Sequence, residues 1–141
     1  MQPYEDPNEL TDFSERELKY YIHSLMLTIG VPGGLKGNRY LSYMIEAVYN
    51  DPVKIQNVMS GLYKETADEF GTKVSNVERD CRTVIAHIVR TERYSDFCKR
   101  LECVRFDEPS VRDLVALLAN ALRRGLVDDS YMVSPFEKLW L

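Results

Sequence analysis

The sequence lacks the apolar runs and terminal signals that mark membrane and secreted proteins. No apolar stretch approaches the length of about 18 residues that a membrane-spanning helix needs. The first ten residues, MQPYEDPNEL, contain neither the basic nor the apolar region of a signal peptide. Three cysteines, an odd number, provide no disulfide framework, so reduced thiols are expected. These absences favour a cytoplasmic globular protein with no membrane partner.

Residue patterns of catalytic and metal sites are also missing. His23 and His87 are far apart in the sequence, and neither has a cysteine or carboxylate at metal-ligand spacing. Cys98 and Cys103 have no second pair and no nearby histidine. No nucleophile motif of the G-x-S-x-G type occurs. We therefore expect no enzyme, no catalytic residue, no metal site and no cofactor.

Strand patterns are scarce, and helical patterns fill the chain. Only the brief candidate Val104–Phe106 suggests a strand. Elsewhere, apolar residues recur at steps of three and four within segments bounded by glycine, proline and capping residues. A chain of 141 residues, 45% hydrophobic and 28% charged, is ordinary for one globular domain. We predict an all-α fold of about six helices that includes a helix-turn-helix.

Start and stop signals divide the first half of the chain into three helices. Ser14 and Glu17 form an S-x-x-E capping box, and the helix that follows ends at the glycine-rich stretch 30–37. This stretch lacks the phosphate-loop pattern and a preceding strand, so we interpret it as a turn. A second helix is predicted over 38–49. A third, opened by a proline, is predicted over 52–63.

Charge and apolar content predict three regions. Residues 1–18 carry six acids and one arginine, a net charge of −5, whereas the whole chain carries −4, so the remainder carries +1. We predict an acidic N-terminal arm over 1–13 and a helical domain over 14–125. The domain ends with a short helix after Arg93 and a last helix between Ser110 and Gly125. An apolar tail over 126–141 should pack on the body or on a second copy.

Residues 64–90 have the pattern of a helix-turn-helix. Gly71 suits the left-handed conformation that ends a first helix, and Ala67 is small enough for close helix approach. Ser75 and Glu78 form a second S-x-x-E capping box. The second helix of the motif is therefore expected to begin directly after Ser75.

The second helix of this motif is predicted to be amphipathic. Its apolar positions share one face: Val77, Cys81, Val84, Ile85 and Ile88. The opposite face and its flank carry polar and basic residues: Asn76, Arg79, Thr83, Arg90 and Arg82. Such a helix can enter a DNA major groove. A solvated amphipathic helix in an all-α domain has the same pattern.

The stretch TIGVPGGLKGNRYLSYMIEAVYND, residues 28–51, carries the IGVP loop, the KG and YL pairs and the VYND ending of a known family. The pattern S-x-V-E-R-x-x-R follows at 75–82, and a proline-started helix ending in Leu-Arg follows at 109–123. Over about residues 14–124 the chain resembles the C-terminal effector domain of the sporulation response regulator, stage zero sporulation protein A.

This resemblance implies an all-α, DNA-binding transcription regulator whose partner is double-stranded DNA. The family also implies RNA polymerase sigma factor as a partner, and tandem binding leaves a homodimer open. By resemblance, Arg79 and Arg82 reach base edges or phosphates, and Glu78 is placed near a cytosine amino group. The residues assigned to DNA binding are Lys73, Ser75, Asn76, Glu78, Arg79, Arg82 and Thr83.

Departures from the family pattern keep a second hypothesis open. Asn76 and Thr83 stand where the family carries arginine and histidine, so affinity or box preference is expected to differ. An acidic arm stands where the family has a receiver domain. The arm is either mobile and solubilising or a competitor of phosphate near Arg79. The alternative function is a non-enzymatic protein-interaction module, such as an antagonist of a related regulator, that keeps the fold and has lost DNA binding.

Overall fold

The computed structural model describes residues 13–101 and 108–125, without the side chains of 57–59. Six α-helices and one short 3₁₀–π segment make up this part of the chain, and it contains no strand. The elements are α1 (Glu15–Thr28), α2 (Lys36–Asn50), a 3₁₀ turn (Pro52–Asn57), a π-helix (Val58–Leu62), α3 (Tyr63–Phe70), α4 (Val74–Ile88), α5 (Glu92–Arg100) and α6 (Val111–Arg123). The all-α prediction is confirmed. The predicted arm, tail and Val104–Phe106 strand lie outside the described residues, apart from Phe13.

Helix α2 lies at the centre of the core and packs against α1, α4 and α6. Its buried side chains include Leu41, Met44 and Ile45, which are fully shielded from solvent. These residues follow the helical spacing expected for a face that contacts several neighbours. Because α4 packs directly on α2, the centre of the fold supports the second helix of the helix-turn-helix.

The predicted starts of α1 and α6 are confirmed by the hydrogen bonds of their capping residues. The Ser14 hydroxyl accepts a bond from the Glu17 N–H at 3.2 Å, and the Glu17 carboxylate accepts one from the Ser14 N–H at 3.2 Å. The Ser110 hydroxyl accepts a bond from the Asp113 N–H at 3.0 Å. Both caps satisfy N–H groups that the first helical turn leaves without an intrahelical partner.

The prediction of one regular helix over 52–63 is wrong. The chain forms a 3₁₀ turn followed by a π-helix that leads into α3. A short apolar pattern does not distinguish these hydrogen-bond spacings from an α-helix, because all of them place apolar residues three to five apart. Lys54 also ties the 3₁₀ turn to α3, since its ammonium lies 2.9 Å from a Glu65 carboxylate oxygen.

Phe70, at the C-terminal end of α3, is less deeply packed than Tyr49 and Leu62. Tyr49 and Leu62 are buried, but Phe70 is half-buried at the edge of the core. Its ring packs edge-on against Tyr40, with ring centroids 5.2 Å apart, and the Arg39 guanidinium lies over it. Phe70 therefore closes the C-terminal end of α3 against α2.

Within the described residues, no helix is both long and apolar enough to cross a bilayer.

Candidate nucleic-acid interface

The turn between α3 and α4 has the geometry of a helix-turn-helix. Gly71 adopts the left-handed conformation (φ 62°, ψ 40°) that ends α3. The Thr72 N–H donates to the Ala67 carbonyl at 2.9 Å, as in a Schellman-type helix end. Ala67 is buried, which allows the close packing of α3 on α4. The predicted roles of Gly71 and Ala67 are thus confirmed.

The prediction that a capping box at Ser75 starts α4 is wrong. Helix α4 begins at Val74, and Lys73 occupies the capping position with extended backbone and no side-chain cap. The Lys73 carbonyl accepts bonds from the N–H groups of Asn76 at 3.0 Å and Val77 at 3.2 Å. Because the backbone alone closes this first turn, Ser75 lies inside the helix and is exposed.

Glu78 takes part in an ion pair instead of a capping box. Its carboxylate pairs with the Arg82 guanidinium one turn further along α4. The Glu78 side chain is only 24% exposed, whereas that of Arg82 is 70% exposed. Glu78 therefore lies at the flank of α4, beside the buried stripe, and Arg82 extends over it towards solvent.

The predicted buried face of α4 is confirmed, whereas the predicted outer face is confirmed only in part, because Asn76 is half-buried and Arg90 lies beyond the end of the helix. The buried stripe contains all five expected residues: Val77, Cys81, Val84, Ile85 and Ile88. Arg79 lies near the middle of the opposite face, and its side chain is 67% exposed. One turn away on either side lie Ser75 and Thr83, both short and exposed. The outer face of α4 therefore presents one long basic side chain between small neighbours.

The two positions that depart from the family pattern form local hydrogen bonds. The Asn76 amide donates to the Thr72 hydroxyl at 3.0 Å, and the Asn76 residue is half-buried. The Thr83 hydroxyl donates to the Arg79 carbonyl at 3.1 Å. Neither side chain adds a positive charge to the outer face. Of the other predicted site residues, Lys73 is exposed at the N-terminus of α4.

Both candidate arginines have carboxylate partners within the chain. The Arg79 Nε atom lies 3.3 Å from the Asp80 carboxylate, and Arg82 pairs with Glu78. The two arginine side chains are 67% and 70% exposed, whereas those of Asp80 and Glu78 are only 17% and 24% exposed. A phosphate or a base edge can therefore reach either arginine from solvent, but the carboxylate that it displaces stays partly buried.

Sequence patterns missed two residues next to this helix. Gly37, in the first turn of α2, packs against the backbone of Asp80 so closely that a Cβ atom would overlap it. The KG pair of the family pattern marks this position, but its reason is visible only in three dimensions. Tyr63, at the start of α3, lines a cavity of about 630 Å³ together with Glu78 and Arg82. No local pattern connects Tyr63 with α4.

Metal-ligand groups and free thiols are the other possible site chemistry of the described residues. No group of three or more histidine, cysteine, aspartate or glutamate side chains there is arranged to hold a metal ion. Cys81 and Cys98 are buried free thiols. Burial, with a smaller contribution from the neighbouring Asp80 charge, raises the pKa of Cys81 from 9.0 to about 12. The Cys81 side chain is thus a protonated core residue at neutral pH.

Comparison with protein families agrees with this geometry. The family model described as "Sporulation initiation factor Spo0A C terminal" matches residues 22–122, which is most of the chain. The match includes the glycine-rich turn, α2 and the whole helix-turn-helix, and it confirms the resemblance seen in the sequence. The chain belongs to the Spo0A C-terminal family, the DNA-binding effector domain of a sporulation transcription regulator.

Proposed function

We propose that this chain is a sequence-specific transcription regulator that places α4 in the major groove of double-stranded DNA. The observation that carries the proposal is the position of Arg79. It is exposed on the face opposite a fully buried stripe, and the core therefore holds it outward. A rigid helix with an outward arginine is the usual device for reading base edges.

The small residues around Arg79 support direct base readout. Ser75 and Thr83 allow the axis of α4 to approach the groove floor, where longer side chains would hold it away. The planar guanidinium of Arg79 then matches the O6 and N7 acceptors of a guanine. Its present partner, Asp80, is only 17% exposed and would give up the guanidinium in this contact.

Phosphate contacts are proposed for the ends and flank of α4. Lys73 places an ammonium at the start of the helix, where no side chain caps the first N–H groups. A phosphate there would meet both the ammonium and the positive end of the helix dipole. Arg82, on the flank, is the second phosphate contact. These contacts would set the register of α4 on the duplex.

Asn76 and Thr83 are proposed to lower the electrostatic part of the affinity. Both are neutral, and both are already hydrogen-bonded within the chain. Each phosphate contact that is lost reduces the slope of log K against log salt by about 0.9. This chain should therefore show a shallower salt dependence than a relative with arginine and histidine at these positions. Sigma-factor contact and dimerisation remain proposals that rest on the family alone.

A protein-interaction module is the second candidate function. The observation that favours it is the pairing of both candidate arginines with carboxylates, together with the near-neutral charge of the remainder beyond residue 18. In this reading the outer face of α4 would bind a protein, and DNA affinity would be absent even at low salt.

Fluorescence-anisotropy titration with random and family-box duplexes, across salt concentrations, tests the proposal. Arg79→Ala should weaken box binding by about 1–3 kcal/mol and random binding much less, because a bidentate guanine contact is lost. Arg16→Ala is the matched control, because it removes an equal charge from an exposed position of α1. It should change neither the box affinity nor the random-duplex affinity. If the unmodified chain binds no duplex at low salt, the interaction module replaces the DNA-binding proposal.

A further inference from the structure

The Tyr63 hydroxyl lies beside the Glu78–Arg82 ion pair without a hydrogen-bond partner in the described part of the chain. Tyr63 is 2% exposed, and it lines the same cavity as Glu78 and Arg82. No hydrogen bond involves its hydroxyl among residues 13–101 and 108–125. Although the residue as a whole is buried, Tyr63 lines the open cavity, so its hydroxyl can donate a hydrogen bond to an acceptor that enters that space.

The hydroxyl of Tyr63 is a permanent donor. Burial of the side chain, with smaller contributions from nearby charges that include Glu78, raises the pKa of Tyr63 above its ordinary value. The proton is therefore retained at any pH at which DNA binding would be measured. A neutral phenol beside a carboxylate donates a hydrogen bond to it.

When Arg82 leaves Glu78, the Glu78 carboxylate needs another hydrogen-bond donor. In the proposed contact, the exposed Arg82 guanidinium reaches outward to a DNA phosphate and leaves Glu78, which lies back along the flank of α4. The Glu78 carboxylate would then be left three-quarters buried and without its charge partner. An ionised group in that position loses more free energy than a fully exposed one, because water solvates it incompletely.

We propose that Tyr63 is a positioning residue whose hydroxyl becomes the hydrogen-bond partner of Glu78 when Arg82 binds DNA. The Glu78 side chain rotates towards the cavity and accepts a hydrogen bond from the Tyr63 hydroxyl, while the Arg82 guanidinium binds a backbone phosphate. One partner of Glu78 replaces another, so the arginine is released at low cost. The inference rests on the proposed DNA-binding function.

Arg112 is the competing partner for Glu78. It lines the same cavity from the first turn of α6, and its side chain is exposed. A guanidinium there would hold a released carboxylate without Tyr63. Glu108, also exposed on the cavity wall, would attract Arg112 instead. Variants at Tyr63 and Arg112 therefore separate the two routes.

A double-mutant cycle on random-sequence duplex tests the inference, because such a duplex excludes base-specific contacts. Tyr63→Phe should weaken binding about fivefold in the unmodified chain and leave it nearly unchanged in a Glu78→Gln background. Its salt slope should also fall by up to about 0.9, since Arg82 stays paired with Glu78. In the absence of DNA, Tyr63→Phe should not lower the melting temperature, because its hydroxyl forms no bond there.

Several outcomes would overturn the inference. An equal loss of affinity in both backgrounds, or a lowered melting temperature, would assign Tyr63 a purely structural role. Unchanged binding by Tyr63→Phe together with weakened binding by Arg112→Ala would show that Arg112, and not Tyr63, binds the released Glu78 carboxylate. Failure of the unmodified chain to bind any duplex would remove the proposed function as well. If the unmodified chain binds duplex but the effects of the Tyr63 and Glu78 substitutions are additive, only the role of Tyr63 is removed.

Discussion

Gly37 of α2 and Asp80 of α4 lie so close together that no larger residue fits at position 37. A Cβ atom built on Gly37 would be 2.2 Å from the Asp80 carbonyl oxygen and 2.6 Å from a Val84 methyl carbon. The obstructing oxygen belongs to the backbone of a helix, so it has little freedom to move. This contact sets the distance between α2 and α4, and with it the position of the neighbouring Arg79.

Gly37→Ala is expected to destabilise the fold. The added methyl group forces α2 away from α4, which should lower the free energy of unfolding by at least about 2 kcal/mol. Chemical denaturation followed by circular dichroism measures this change. Gly34→Ala is the matched control, because a Cβ atom at Gly34 meets nothing within 4 Å. Equal stabilities of the two variants would show that α2 and α4 separate at no cost.

Ile85→Ala is expected to lower the free energy of unfolding by about 2–5 kcal/mol. Ile85 is buried in the stripe of α4, and removal of its branched side chain leaves a cavity. Val53→Ala deletes two methyl groups at a site that is 65% exposed and should have almost no effect. A melt of Ile85→Ala that matched the unmodified chain would contradict the burial of this face.

Stability is expected to fall as the pH rises above about 9. The pKa of Cys81 is raised from 9.0 to about 12 in the folded chain, so the folded state keeps a proton that the unfolded state releases. Since the unfolded state binds fewer protons in this range, its formation becomes easier by up to about 1.4 kcal/mol per pH unit for one such group.

Urea denaturation at several pH values measures that slope. Tyr43 and Tyr63, whose pKa values are also raised, contribute in the same direction. Cys81→Ala should therefore reduce the slope without abolishing it. If the variant and the unmodified chain lose stability in parallel, Cys81 ionises as easily in the folded state as in the unfolded state.

Removal of residues 1–12 is expected to leave DNA affinity unchanged. The deleted segment contains Glu5, Asp6, Glu9 and Asp12, but the capping box of α1 remains. Salt screens these charges beyond about 10 Å at 0.1 M, which predicts equal affinity for both chains. Tighter binding by the shortened chain at low salt, with a gain that shrinks as salt rises, would instead show that the arm competes with phosphate.

Patterns within a single helix were enough to predict the fold and the outer face of α4. The spacing of Val77, Cys81 and Ile85 identified the buried face of α4, and the Ser14 cap identified the start of α1. The start of α4 was missed because it depends on backbone bonds to Lys73 rather than on a capping side chain.

Contacts between distant parts of the chain were beyond such patterns. Gly37 and Asp80 belong to different helices, and so do Tyr63 and Arg82. Their contacts depend on how α2, α3 and α4 cross, which hydrophobic spacing does not specify. The family resemblance identified residues for DNA contact, but it did not indicate that Glu78 and Arg82, four residues apart on α4, pair with each other.

The buried stripe of α4 has a consequence for the heat of association with a duplex. Five core side chains order this helix before any ligand arrives, so binding requires no coupled folding of the helix. The heat-capacity change measured by calorimetry should then reflect only the apolar surface covered at the contact, without the larger negative value of a segment that folds on its target. The backbone entropy of α4 is lost once, during folding of the domain. Every encounter with a nucleic acid therefore begins from a rigid helix surface.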